Sequence, residues 1–185
     1  MNTTVMTLLV VVGIIVIAGA AWMYWQSRRR VHLRDRFGSE YDRTVDHMGD
    51  ARRAEAALSA REKRVEKLNI HPLPPEESAR YAEVWRHVQA LFVDDPKGAI
   101  GEADRLVNDV MTARGYPMAD FDQRLEDISV DHGNVVEHYR SARAIARRER
   151  AGTVTTEELR QALVHYRALF DDLLGKERKP EPARR

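Results

Sequence analysis

The chain has no cysteine among its 185 residues. That absence removes disulfide frameworks, thiolate zinc sites, iron–sulfur ligation and cysteine nucleophiles together. An excess of one charge is missing too: 30 Lys+Arg face 29 Asp+Glu, a formal +1. A dedicated nucleic-acid binder carries a basic excess, so nucleic acid is not an expected partner. The period-2 alternation of strand formers is also missing, and the remaining periodicity is helical.

Signatures of chemistry are equally scarce. There is no GxGxxG and no GKS or GKT, and Lys97-Gly98 lacks the preceding glycines of a phosphate loop. No two of the seven histidines are four apart and HExxH is absent, so no helix displays a two-histidine ligand pair. Asp120, Asp122 and Asp131 match positions one, three and twelve of a calcium loop, but the register fails at Arg124 and Leu125. No GxSxG elbow occurs. Ser129, Asp131 and His132 lie close in sequence and read as a helix-end cap, because a triad is a spatial arrangement and not a sequence cluster. No catalytic, cofactor-binding or metal-binding residue is expected, and the chain does not read as an enzyme.

What the chain does contain begins with Val5 to Trp25, 21 residues without a charge. As a helix this stretch is roughly 31 Å long, enough for a bilayer core. Trp22, Tyr24 and Trp25 gather at its end, where aromatic rings prefer the headgroup level. A basic collar follows: Arg28, Arg29, Arg30, Arg34 and Arg36 against Asp35, net +4. Met1 to Thr4 carries no basic side chain, so the positive-inside rule places the N-terminus outside and the rest in the cytoplasm. The competing reading is a cleaved signal peptide ending near Ala18-Gly19-Ala20; the uncharged start, the length of the apolar run and the arginine triplet oppose it. Gly13 and Gly19 are six apart, not the four of a GxxxG face, so a homo-oligomer is allowed without being indicated.

Beyond the collar the signals are helix starts and stops. Gly38 interrupts, a short helix fits Glu40 to Met48, and Asp50 can cap a helix running to Asn69. Three prolines between Pro72 and Pro75 break the chain, and Pro75 opens a helix with an apolar stripe from Tyr81 to Phe92. Asp95-Pro96 starts the next helix, which Gly115 and Pro117 end. Helical segments follow at Phe121 to Ile128 and about Asp131 to Ala151, and Thr155 with Glu158 forms a capping box for the last helix. The expected fold is all-α: an N-terminal transmembrane helix, a connecting helix and a C-terminal antiparallel bundle. Its divisions are an anchor over 1–27, collar and connecting helix over 28–75, a helical domain over 76–174, and a disordered charged tail over 175–185.

Three surfaces are candidates for function. Arg140, Arg143, Arg147 and Arg150 are spaced 3, 4 and 3 apart and form one helical stripe, suited to an acidic partner or lipid headgroups. The repeated His-Tyr-Arg at 138–140 and 165–167 could place Tyr139, Arg140, Tyr166 and Arg167 around a small acidic-ligand pocket. The membrane-proximal collar itself faces an anionic leaflet, whereas residues 37–174 carry a net −6 and should project away from it.

The stretches RFGSEYDRTV (36–45), LFVDDP (91–96), EADRLV (102–107), RGYP (114–117), ISVDH (128–132) and LRQALVHYRALFDDLL (159–174) resemble a family of bacterial single-pass membrane proteins with a helical cytoplasmic domain. The resemblance covers nearly the whole chain and implies a bacterial membrane setting and a helical body. It brings no activity, cofactor or site residue. The expected function is a membrane-anchored adaptor or scaffold, with the bilayer and a protein of unspecified identity as partners. The alternative is a ligand-binding sensor.

Overall fold

A computed structural model describes residues 3–118 and 120–175, with side chains from Val11 onward. The described residues are all-α, with eight helices and no strand. They are α1 (Thr3–Phe37), α2 (Ser39–Met48), α3 (Ala51–Val65), α4 (Pro75–Asp94), α5 (Pro96–Ala113), α6 (Phe121–Asp131), α7 (Val136–Arg150) and α8 (Thr156–Leu173). The charged tail expected over 175–185 lies, after Gly175, outside the described residues.

Local chemistry sets most of these boundaries. Asp50 accepts from the backbone N–H of Arg52 at 2.7 Å and Arg53 at 3.3 Å, which satisfies two of the unpaired donors at the start of α3. Asp95 does the same for Gly98 at 2.9 Å, with Pro96 in the first helical position. At α8 the capping box is complete: Glu158 N–H donates to Thr155 Oγ1 at 3.3 Å, and Thr155 N–H to the Glu158 carboxylate at 2.8 Å. Gly38, at φ +53°, makes the break between α1 and α2.

Two apolar cores share one wall. The larger gathers Trp85 and Val88 of α4, Ile100 to Met111 of α5, Tyr139 and Ala142 of α7, and Leu159, Tyr166 and Phe170 of α8. Trp85 stacks on Phe170 with ring centroids 4.8 Å apart. α7 and α8 run antiparallel, with Arg148 bound to Glu158 near one end and His138 beside His165 further along. α5 and α8 pair without being sequence neighbours and run in the same sense, since Asp104 meets Tyr166 and Arg114 reaches the Leu173 carbonyl.

The smaller core holds Leu33 and Phe37 of α1, Tyr41 of α2, Leu58 and Val65 of α3, and Val130 of α6. α6 gives Leu125 and Ile128 to the larger core and Val130 to the smaller, so it is the wall between them. The connecting helix therefore packs on the bundle. The docking of α1 needs a glycine: a Cβ on Gly133 would lie 2.3 Å from the Phe37 carbonyl oxygen, so the end of α1 can approach the α6–α7 turn only because that position is bare.

Three elements differ from their expected extents. α3 stops at Val65 and not Asn69, because the chain turns to give His71 N–H to the Arg114 carbonyl at 3.0 Å. α6 continues to Asp131, and the next helix starts at Val136 and not near Asp131. A turn at His132–Val135 separates them, with the buried His132 ring pinned by side chains from α5 and α8.

Candidate functional site

The N-terminal helix and its collar form one device. α1 is 35 residues long, roughly 52 Å at the helical rise. Only its last turns, around Leu33 and Phe37, are buried. The consecutive side chains Val11, Val12, Ile14, Ile15, Val16 and Ile17 are exposed, Ile17 at 70%, and the exposure continues through Trp22, Met23, Tyr24 and Trp25. The exposed positions on either side of Gly13 cover every face of a helix, so this stem is apolar all round, and its Trp22–Trp25 end lines clefts shared with α3. The expected span Val5 to Trp25 lies within α1, with its first six residues ahead of the described side chains. Among the described residues, no helix is long and apolar enough to cross a membrane.

The collar arginines divide by position. Arg30 donates to Glu55 at 2.7 Å, Arg34 to Asp42 at 2.7 Å, and Arg36 to Glu62 at 2.9 Å and Asp131 at 3.3 Å. These three tie α1 to α3, α2 and α6. Arg28 and Arg29 instead turn toward the aromatic residues: Arg28 donates to Tyr24 Oη at 3.0 Å, and Arg29 lies 5.6 Å from the Trp25 ring while donating to Ser59 Oγ at 2.6 Å. The first half of the collar remains a cationic girdle, and the second half is a docking clamp.

The arginine stripe on α7 is split in the same way. Arg140 pairs with Glu137 and with Glu40 of α2, and Arg143 pairs with Asp104 of α5 at 2.5 Å. Arg143 and Arg147 both lie over the Phe121 ring, each 5.2 Å from its centroid. Arg147 and Arg150 are exposed. Carboxylates of the chain itself thus occupy the N-terminal half of the stripe, and its C-terminal half is exposed.

Tyr139 and Tyr166 do come together as their spacing suggests, but as core. Both are fully buried and meet edge-on with centroids 6.4 Å apart. The Tyr166 hydroxyl donates to Asp104 at 2.9 Å and the Tyr139 hydroxyl to Asn108 at 3.2 Å. Burial pushes both phenols above the usual tyrosine range, and at Tyr166 the charge and hydrogen bond of Asp104 add to it. Arg140 is engaged as above and exposed Arg167 binds Asp171 at 3.3 Å. The four side chains of the expected ligand pocket therefore enclose no space: the rings fill the gap between α7 and α8.

Several polar clusters were not legible in the sequence because their members lie far apart in it. Buried Glu40 is surrounded by Arg61 at 3.4 Å, Arg140 at 3.3 Å and Arg43 at 3.9 Å, beside a cleft of about 240 Å³ reaching His47 and Asp122. Burial outweighs the opposing pull of Arg61 and Arg43 and holds its carboxyl above the usual range. His132, buried at the end of α6, bonds Asp172 through Nδ1 and faces Arg114 Nη1 at 3.1 Å through Nε2. Arg114 needs an acceptor, so Nδ1 carries the proton and Nε2 its lone pair. That nitrogen is blocked by Arg114, which leaves a structural lock between α5, α6 and α8 and no base open to a substrate. Ser129 takes no part, donating to the Glu126 carbonyl at 2.7 Å. His138 and His165 sit Nδ1 to Nδ1 at 2.9 Å across α7 and α8, and burial followed by the neighbouring ring lowers the His165 pKa. Among the described residues, no group of three or more His, Asp or Glu side chains is placed to hold a metal ion.

No family model matches this chain, and no curated protein or solved structure gives a match.

Proposed function

We propose that this chain is a membrane-anchored, non-enzymatic interaction module, held by α1 in a bacterial inner membrane with its helical body in the cytoplasm. The observation that supports this most is the stem. An exposed helix, apolar on every face from Val11 to Trp25, is insoluble surface unless lipid or another apolar partner covers it. Its aromatic end and the girdle of Arg28 and Arg29 follow in the order that a bilayer interface favours. The resemblance to bacterial single-pass membrane proteins points the same way.

The body is built to hold a position and not to turn over a substrate. The paired arginines of the collar clamp α1 onto α2, α3 and α6, so the body is fixed to its anchor without a flexible linker. Arg147 and Arg150 at the far end of α7 supply a cationic face for an acidic protein partner. The test is alkaline carbonate extraction of membranes that express the full chain. The protein stays in the membrane pellet, and a chain carrying Ile14→Arg and Ile17→Arg moves to the wash. Wild-type protein released by carbonate overturns the anchor.

A further inference from the structure

Where α1 meets α3, the cations fall into two groups. Arg30 and Arg36 are ion-paired with Glu55 and Glu62. Arg52 and Arg53, exposed at the start of α3, make no ion pair or side-chain hydrogen bond among the described residues. The carboxylate beside them, Asp50, is occupied by their own backbone N–H groups. α3 runs alongside α1 in the same sense, from Arg30–Glu55 to Arg36–Glu62, so its first turn lies level with the aromatic end of the stem.

A cleft of about 270 Å³ opens there, lined by Trp22, Met23, Gln26, Ser27, Arg30 and Arg52. Its lining changes in order along α1. Trp22 and Met23 are apolar, Gln26 and Ser27 offer an amide and a hydroxyl, and Arg30 follows with Arg52 entering from α3. Over roughly 12 Å of helix the wall passes from apolar, through neutral hydrogen-bonding groups, to guanidinium. A phospholipid at a membrane surface presents acyl chain, glycerol esters and phosphate in that sequence. Buried Glu55 offsets Arg30 at 2.7 Å and also accepts from Tyr41 at 3.1 Å, so the charge left uncancelled is that of Arg52 and Arg53.

We propose that this cleft seats an anionic phospholipid, with its phosphate at Arg52 and Arg53, its ester region at Gln26 and Ser27, and its upper acyl chain against Trp22 and Met23. The assignment rests on the anchored reading of α1 and deepens it. A lipid held there ties the start of α3 to the leaflet as well as α1. Two attachment points fix the tilt of the body over the membrane, which one helix alone leaves free to rotate.

The test uses the full chain in nanodiscs that contain phosphatidylcholine plus an equal fraction of brominated phosphatidylglycerol or brominated phosphatidylcholine. The readout is quenching of tryptophan fluorescence. Trp22 lines the cleft and Trp25 lies one turn on, whereas Trp85 is buried against Phe170 in the body and gives a constant background. Each surface arginine contributes about a fivefold preference for anionic lipid, so with Arg52 and Arg53 phosphatidylglycerol should occupy the cleft about 25-fold more readily. Arg52→Gln with Arg53→Gln should lower its quenching to the phosphatidylcholine level, with helix content unchanged by circular dichroism. Equal quenching by the two lipids in the wild type overturns the seat while leaving the anchor intact, and so does a preference that survives the double substitution. Absence of quenching by either lipid overturns the anchored reading itself.

Discussion

Arg36 and Glu62 lie 2.9 Å apart, joining the last turn of α1 to α3, and the same guanidinium reaches Asp131 of α6 at 3.3 Å. One side chain thus links three helices at the point where the apolar stem becomes the body. Arg36→Ala leaves partly buried Glu62 with only His32, at 3.0 Å, and removes the exposed link to Asp131, and should cost about 1 kcal/mol. Thermal unfolding of the body should fall by a few degrees, and hydrogen exchange over 33–37 should rise, with membrane retention unchanged.

The split of the α7 stripe makes neighbouring arginines behave differently. Arg143→Ala leaves Asp104 buried with only the Tyr166 hydroxyl and should destabilise by roughly 2–4 kcal/mol. Tyr166→Phe removes one buried hydrogen bond and should cost about 1–2 kcal/mol. Arg147→Ala touches only the Phe121 face and should stay within about 0.5 kcal/mol to 1 kcal/mol. Urea denaturation of the three variants checks the order, and a large effect at Arg147 would contradict the division.

Two glycines should respond oppositely to a methyl group. Gly133→Ala places a Cβ 2.3 Å from the Phe37 carbonyl oxygen, where backbone must move, and should cost more than about 2 kcal/mol. Gly101→Ala adds a methyl in open space within α5 and should stabilise by about 0.5–1 kcal/mol. Melting temperatures of the two variants should move in opposite directions.

The His138–His165 contact gives a pH dependence of definite sign. Burial, helped by the His138 ring, holds folded His165 below the ordinary histidine value of about 6.5, so the unfolded chain takes up a proton first as pH falls. Stability from His165 is complete above about pH 6.5 and is lost as pH drops through its lowered folded value. Glu40, raised above 4.5, acts in the opposite sense, so the informative quantity is the difference between wild type and His165→Gln. The wild type should lose stability relative to the variant between pH 7.5 and pH 5.5 in denaturant titrations. A constant difference would contradict the lowering of His165 by its burial between α7 and α8.

How much of this was legible in sequence follows from the range of each interaction. Asp50, Asp95-Pro96 and Thr155 with Glu158 act within three residues, so the starts of α3, α5 and α8 could be read directly. The turn at His132–Val135 could not, because Asp172 and Arg114, which hold His132, lie 40 and 18 residues away. The arginine spacing on α7 gave the stripe but not its occupancy, because Glu40 is 100 residues from Arg140. The repeated His-Tyr-Arg spacing is consistent with Tyr139 and Tyr166 meeting edge-on, 6.4 Å apart, between α7 and α8. What periodicity cannot distinguish is a pair of rings lining a cavity from a pair that fills it.

The most direct test of the membrane account uses the absence of cysteine from the chain. Single cysteines at Asn2→Cys and, in the α7–α8 loop, Thr153→Cys can be probed in intact cells with a membrane-impermeant maleimide. The anchored, cytoplasmic-body arrangement requires labelling at position 2 in intact cells and at position 153 only after lysis. Labelling at 153 in intact cells, or recovery of the full-length protein in the soluble fraction, would contradict it.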